Sequence, residues 1–346
     1  MRIALINTPS LADRPVSRSM AGGLGFDGNE SMILPPLDLA IMAATIRQAG
    51  DTVDLIDADP LRFTPEDIHA RLGKNQWDML IATASLPTLA YDADFIAMLR
   101  QHHVGARIVA KTLIQDHAAL KALLIRSRAD FVIHGEADLT IADLAHGRSR
   151  KGTAWLETDP SGKTPVFHFE AGVPVKDVNA LPLPARDLLP NDRYVYPLLG
   201  SPVATLQTSR GCPYPCGYYC PYPLVEGVKW RAQTPERVFA EVKDVVERYG
   251  IRKMYFRDAT FTLNQSRVAE LCDLIKNAGW PLEWVCETRI DCVDDALLEK
   301  MRQAGCVGLL VGVETGDEQV MHSAEGKKGL TVQKLAAIRE KTRQLG

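Results

Sequence analysis

Long apolar runs are missing from this 346-residue sequence. No stretch approaches the roughly 18 uninterrupted apolar residues of a membrane span, so no span is expected. The opening "MRIALINTPS" lacks the apolar core and small-residue cleavage site of a signal peptide and reads as a strand. A cytoplasmic location is therefore expected. A basic excess is missing too. The 40 Lys and Arg stand against 43 Asp and Glu, for a formal net charge of −3. A nucleic-acid partner usually leaves a basic footprint, so none is expected. There is no internal repeat and no low-complexity tract. The seven cysteines are an odd number, which in a cytosolic chain argues for thiol chemistry or metal binding over disulfides. What remains is ordinary for a soluble globular protein of about two domains: 46% hydrophobic, 24% charged and 7% aromatic residues.

Residues 1–146 alternate short apolar strands with helical patterns. "RIALIN", "TVDLIDA", "DMLIATA", "ARIVA" and "DFVIHG" read as strands. Helices are expected over 37–50, 65–72, 91–100, 115–125 and 138–145. This pattern predicts a Rossmann-like, doubly wound α/β domain with a parallel sheet, whose ligands bind beyond the carboxyl ends of its strands. The first of those ends opens a long loop, 8–36, containing Gly23-x-Gly25-x-x-Gly28. A dinucleotide fingerprint follows its strand at once and opens a helix, and this one does neither, so it reads as a flexible loop. Residues 147–200 are polar and then proline-rich, as in a linker carrying a small hairpin. From 201 to 346 the alternation resumes with four βα units: strands near 203–209, 253–259, 282–290 and 307–315, each followed by a helix.

The stretch "TSRGCPYPCGYYCPYP", 208–223, follows the first of these strands and carries Cys212, Cys216 and Cys220. Three thiolates on a short loop can bind three irons of a cubane cluster, leaving the fourth iron open to a small molecule. Structural zinc needs four ligands, typically with a distant second pair. A ferredoxin-type cluster wants a fourth cysteine at a characteristic spacing. Cys272, Cys286, Cys292 and Cys306 show neither pattern. Zinc and unliganded thiols remain the competing readings.

The run "TSRGCPYPCGYYC" at a strand end resembles the loop of the radical S-adenosylmethionine superfamily. The resemblance implies a [4Fe-4S] cluster on Cys212, Cys216 and Cys220, with the open iron chelating S-adenosylmethionine and Tyr219 against its adenine. It also implies reductive cleavage to a 5′-deoxyadenosyl radical, an external electron donor, and hydrogen abstraction from a small-molecule or biosynthetic-intermediate substrate. Later strand ends match as well. "YFRDATFT" (255–262) resembles the cobalamin-dependent branch at Phe256, Asp258, Phe261 and Thr262. "WVCETRID" places Glu287 and Arg289 on one strand face, and "VGVETG" contributes Glu314. Asp258, Glu287, Arg289 and Glu314 are thereby implied as S-adenosylmethionine contacts. By itself, an acid at a strand end is more often a salt bridge.

The N-terminal half resembles the cobalamin-binding domain of the same branch, through "ILPPLDLAIMAATIRQAGDTVDLIDAD" and "ADFVIHGEADLTIADL". Ser85, Leu86, Gly135 and Glu136 are implied near cobalamin. The loop 8–36 has no histidine, so no histidine is expected on cobalt. His117 and His134 read as structural. Two departures stand out. The cysteine spacing is Cys-x3-Cys-x3-Cys, where the family usually has x2 in the second gap. Ala110-Lys111 occupy the place of a Gly-Gly pair, where Lys111 would obstruct the nucleotide tail or meet its phosphate. The expected whole is a Rossmann-like cobalamin domain, 1–146, a linker, 147–200, and a partial TIM-like radical (βα) barrel, 201–346. The expected activity is C-methylation of an unactivated carbon by a cobalamin-dependent methyltransferase. The alternatives are radical ring closure or rearrangement, and a cofactor-binding remnant without catalysis. Barrels of this branch usually have six βα units, so the chain is expected to be a fragment, to borrow a partner's edge, or to be incomplete.

Overall fold

The computed structural model describes all residues except 12–15, 19, 21–23, 28–31, 74, 159–164, 215, 217–218, 324–325 and 328–329. Gly23 and Gly28 of the glycine-rich stretch lie outside the described residues. The chain forms two compact units. The first holds residues 1–176 and 181–194, and the second holds 177–180 and 195–346. Among the described residues no helix is long and apolar enough to cross a membrane.

The first unit is a seven-stranded sheet. Its parallel part comprises β1 (Arg2–Asn7), β2 (Thr52–Asp57), β3 (Met79–Thr83), β4 (Arg107–Thr112) and β5 (Phe131–His134), in the spatial order β2-β1-β3-β4-β5. The hairpin expected between 147 and 200 is β6 (Thr153–Thr158) and β7 (Pro165–Glu170). It continues the same sheet, antiparallel, beyond β5. Parallel strands must be covered on both faces, and the sequence supplies helices between them. These are α1 (Leu37–Gln48), α2 (Pro65–Leu72), α3 (Leu89–His102) and α4 (His117–Ser127). Helix α2 starts where Pro65 follows Thr64, whose hydroxyl caps Asp67 in a reciprocal capping box. Alternate strand residues, Ala4, Ile6, Leu80, Ala82, Ile108 and Ala110, pack with α2, α3 and α4 in one core. The intervening residues face the other way, toward the side where α1 packs on β1 and β2.

The alternation on that second face ends in polar residues. Asp57, Asn7, Thr83 and Lys111 close β2, β1, β3 and the penultimate position of β4, and they lie in register across the sheet. Tyr194 Oη donates to Asp57 Oδ2 (2.8 Å), Asn7 Nδ2 to Asp57 Oδ1 (2.8 Å) and Thr83 Oγ1 to Asn7 Oδ1 (3.1 Å). Burial pushes the Asp57 carboxyl up to about 7, with the charge of Asp59 adding to the shift and hydrogen bonds from Asn7 and Tyr194 opposing it.

The second unit is a four-stranded parallel sheet in sequence order. Its strands are β8 (Ala204–Leu206), β9 (Lys253–Phe256), β10 (Glu283–Thr288) and β11 (Cys306–Val311). Helices α5 (Pro235–Tyr249), α6 (Gln265–Ala278), α7 (Asp295–Gln303) and α8 (Val332–Leu345) follow the four strands in turn. The helices bury their apolar stripes against Leu206, Met254, Phe256, Trp284 and Cys286. Tyr255, Val285 and Glu287 alternate with these and point to the opposite face. That face, at the carboxyl ends of the strands, carries the candidate site.

Candidate functional site

The cysteine loop leaves β8 and is held at both ends. Thr208 donates to Asp258 Oδ1 through its backbone N–H and its hydroxyl, each at 3.0 Å, and Ser209 Oγ donates to the same oxygen at 2.5 Å. Asp258 is wholly buried, and burial pushes its carboxyl up. Its Oδ2 has no partner among the described residues. Ser209–Arg210 then pairs antiparallel with Arg231–Ala232, which closes the base of the loop. Gly211 has φ +83°, and a Cβ there would lie 2.3 Å from the Lys229 carbonyl oxygen. Only glycine fits this crossing. Glu226 accepts from the Gly211 N–H (2.9 Å) and from Gln207 Nε2 (2.7 Å).

The three cysteines sit on this frame. Cys212 is buried, and Cys216 and Cys220 are half-buried; none is in a disulfide. Burial pushes the Cys220 thiol up. The Tyr222 backbone N–H opposes that shift, and the charges of Cys216, Cys212 and Glu314 add to it. The thiols and Glu314 therefore lie within electrostatic reach of one another. Arg289 Nη1 donates to Cys216 Sγ at 3.5 Å, and its guanidinium carbon lies 3.8 Å from the centroid of the Tyr214 ring. Asp291 fixes the other side of the guanidinium, accepting at 3.0 and 2.8 Å. Among the described residues no three His, Cys, Asp or Glu side chains converge on one point. A cubane asks for a different arrangement, in which each thiolate takes its own iron.

Glu287 accepts from Tyr222 Oη at 3.3 Å and from Tyr255 Oη, and burial pushes its carboxyl up. Glu314 has a left-handed backbone, φ +64°, and stands 3.9 Å from Lys327 Nζ. Tyr219 is 46% exposed. Sequence spacing separates Cys292 from the loop, but the fold returns it there. Its Sγ lies 3.1 Å from Tyr214 Oη, and the Cys212 charge helps push its thiol up, after burial and Asp291. Glu226, Tyr214 and Cys292 were not singled out from the sequence. Their approach depends on how the loop folds, which local patterns do not encode.

The first unit carries a cavity of about 370 Å³ at the carboxyl ends of its parallel strands. Asn7, Thr83, Lys111 and Thr112 line it from the strands, Asp38 from α1, and Arg18 from the long loop. The order β2-β1-β3 makes the gap between β1 and β3 a topological switch point, where such sheets bind ligands. Arg18 pins the loop over it. Arg18 is buried, donating to Asp92 Oδ1 (2.6 Å) and to the carbonyls of Thr8 (2.5 Å) and Pro9 (3.3 Å). Ser85, Leu86, Gly135 and Glu136 are not among the lining residues. Ser85 lies beneath Gly25, with its N–H donating to Asp92 Oδ2 at 2.8 Å and its hydroxyl 2.8 Å from Thr88 Oγ1. Leu86 is exposed. Gly135 has φ +67°, and Glu136 accepts from the Val175 N–H at 2.9 Å. His134 stacks on Phe169 with 4.4 Å between centroids.

Residues 206–346 match the family model of the Radical SAM superfamily. Over 306 residues the chain is 30% identical to a protein of Pyrococcus horikoshii named as the uncharacterized methyltransferase PH0819, covering 86% of this chain and 64% of that protein. It is 25% identical to the anaerobic magnesium-protoporphyrin IX monomethyl ester cyclase of Cereibacter sphaeroides, covering 81% of this chain and 47% of the cyclase. The chain thus spans less than two thirds of either relative. The solved structure of the cobalamin-dependent S-adenosylmethionine radical enzyme OxsB, with aqua-cobalamin bound, shares the fold. Its TM-score is 0.79 at 17% identity, covering 100% of this chain and 48% of OxsB.

Proposed function

We infer that this chain, a radical SAM protein by its domain over residues 206–346, is an enzyme that uses cobalamin to methylate an unactivated carbon of a small-molecule substrate. The observation that carries the reading is the cysteine loop. Three free thiols stand on a braced loop at the end of the first strand of a parallel sheet, with Arg289 and Glu314 brought to them from later strand ends. Cys212, Cys216 and Cys220 would each hold one iron of a [4Fe-4S] cluster. Tyr219, Glu287, Arg289 and Glu314 would be the contacts of S-adenosylmethionine at the fourth iron. Asp258 would act at one remove, by fixing Thr208 and Ser209 at the root of the loop. The cavity of the first unit, with its mixed apolar and charged lining, would take part of a cobalamin. Bound, these groups supply a carbon radical that removes hydrogen, and a carrier for the methyl group.

What the chain itself does is hold, orient and screen. The Arg289 guanidinium donates to the Cys216 sulfur and so holds it in place. The buried Glu287 carboxylate, gripped by two tyrosine hydroxyls, offers a fixed acceptor on the inner face of the sheet. A second reading is radical ring closure, and it is favoured by the likeness to the cyclase. The two separate in one experiment. The full chain is purified and reconstituted anaerobically, reduced, and supplied with S-adenosylmethionine and candidate substrates. Methyl transfer yields S-adenosylhomocysteine as well as 5′-deoxyadenosine, whereas ring closure yields 5′-deoxyadenosine alone. Absence of both, in a preparation with full iron and sulfide, overturns the enzymatic reading.

A further inference from the structure

Lys111 is an unusual residue for its position. The residues before the polar row on its face of the sheet, such as Val109, Ile81 and Leu5, are fully buried and apolar, and Lys111 is the one cation in the row it shares with Asp57, Asn7 and Thr83. Lys111 is itself 5% exposed and lines the cavity. Among the described residues its one polar partner is Asp38 of α1. An ammonium has three donors, so this contact leaves capacity turned toward the cavity. Its partner differs in access to solvent: the Asp38 side chain is about one third exposed, at 35%. Water can take over Asp38, but it reaches Lys111 poorly, and a buried ammonium needs an anion. The pair is therefore built to exchange. The other cations are not available in this way. Arg18 is saturated by Asp92 and two carbonyls, and Arg62 is exposed to solvent. The lining also includes the apolar Leu11, Val16, Leu34 and Phe63, the ring of Tyr91, and a second carboxyl, Asp59, which stands 3.8 Å from Arg18 Nη1. The lining thus combines apolar side chains with one buried cation whose partner carboxylate also meets solvent.

We propose that Lys111 is a specificity-determining residue of this cavity: it trades Asp38 for the phosphodiester of a corrinoid's nucleotide loop, so that the protein selects corrinoids that carry that loop. This rests on the cobalamin reading above and adds to it a discrimination among corrinoids. Because the cavity has its volume with Lys111 in place, the side chain lines the space without filling it.

The test is direct binding to the full chain, followed by absorption changes and equilibrium dialysis, with hydroxocobalamin and with cobinamide, which lacks the nucleotide and its phosphate. The native chain is expected to bind hydroxocobalamin about ten-fold or more tighter than cobinamide, the scale of one charge-assisted contact. Lys111→Met should weaken hydroxocobalamin alone and reduce that preference to about three-fold or less, while Lys111→Arg retains most of it. Asp38→Asn removes the competing anion and should leave the preference intact or raise it. A preference unchanged in Lys111→Met overturns the proposal. So does a tighter grip on hydroxocobalamin in Lys111→Ala, which would make the side chain an obstruction. Equal affinity of the native chain for both corrinoids overturns the proposal and leaves the cobalamin reading standing. Binding of neither overturns both. Should Lys111→Met fail to fold by circular dichroism, Lys111→Gln is read in its place: a preference reduced to about three-fold or less is expected, and an unchanged one overturns the proposal.

Discussion

The cysteines divide by position into two kinds. Cys212, Cys216 and Cys220 share one loop on the inner side of the second unit. Cys272, Cys286 and Cys306 are buried, and burial pushes Cys272 and Cys306 up to about 12 and raises Cys286 well above the ordinary thiol range, so they stay protonated and inert. Cys292 is the ambiguous one, since it reaches Tyr214 beside the loop. If the open cluster is right, replacing Cys212, Cys216 or Cys220 by Ala lowers bound iron from about four per chain to well under one. Cys292→Ala keeps the full complement of iron and sulfide. Iron analysis after anaerobic reconstitution decides, and loss of iron in Cys292→Ala would make the site a four-cysteine one. Gly211 gives a second expectation from geometry alone. Gly211→Ala meets the Lys229 carbonyl at 2.3 Å and keeps a left-handed φ. The backbone penalty alone is about 1–2 kcal/mol. The loop should open at its root, and the variant should lose iron faster to a chelator than the native chain, with a lower unfolding midpoint.

Strand ends carry the polar chemistry in both units, and they show what was legible beforehand. The sequence pattern placed the parallel strands and their helices closely: α2 has the expected bounds, and the other helices of the first unit differ by a few residues. Apolar alternation and Gly or Pro punctuation are local signals, so they survive in a single sequence. The three cysteines were legible for the same reason, being close together in the chain. The hairpin's place at the edge of the first sheet was not, because edge pairing is a tertiary choice. Nor was the polar row Asp57-Asn7-Thr83-Lys111, whose members come from four separate strands, each looking like one polar residue ending an apolar run. That row makes a pH prediction. Asp57 is pushed up to about 7 from an ordinary 3.8, by burial first and Asp59 next, while Asn7, Tyr194 and Arg18 oppose it. The folded chain therefore holds this proton more tightly than the unfolded chain. The associated stability is fully present below about pH 4 and is lost as pH rises toward 7. Its upper bound is about 4 kcal/mol, at about 1.4 kcal/mol per pKa unit. Asp57→Asn keeps the shape without the charge. The stability of the native chain minus that of Asp57→Asn should fall between about pH 4 and 7 and be level on either side. A flat difference in denaturant titrations would mean that Asp57 ionises normally. Asp258 lies at the matching position of the second unit, tying β9 to the root of the cysteine loop. Asp258→Ala strips three donors of their shared acceptor. It should cost about 2–4 kcal/mol, read as a lower unfolding midpoint.

Each proposed cofactor draws its residues from one unit only. Every residue lining the 370 Å³ cavity belongs to the first unit. The three cysteines and the side chains that brace their loop, Glu226, Asp258, Arg289 and Asp291, belong to the second. Perturbations at sites without shared partners generally add, within about 0.3–0.5 kcal/mol. Loading of the two cofactors should therefore be separable in binding, whatever the coupling in catalysis. The variant with Cys212, Cys216 and Cys220 all replaced by Ala should hold no cluster, yet bind hydroxocobalamin within about three-fold of the native affinity. Conversely, Lys111→Met should reconstitute with full iron and sulfide while its corrinoid preference collapses. Parallel titrations of the two variants, with iron and corrinoid measured on the same samples, check both halves. If the cysteine variant loses hydroxocobalamin by ten-fold or more while its fold is intact by circular dichroism, corrinoid affinity depends on the cluster loop. The assignment of the corrinoid to the first unit's cavity alone would then be wrong.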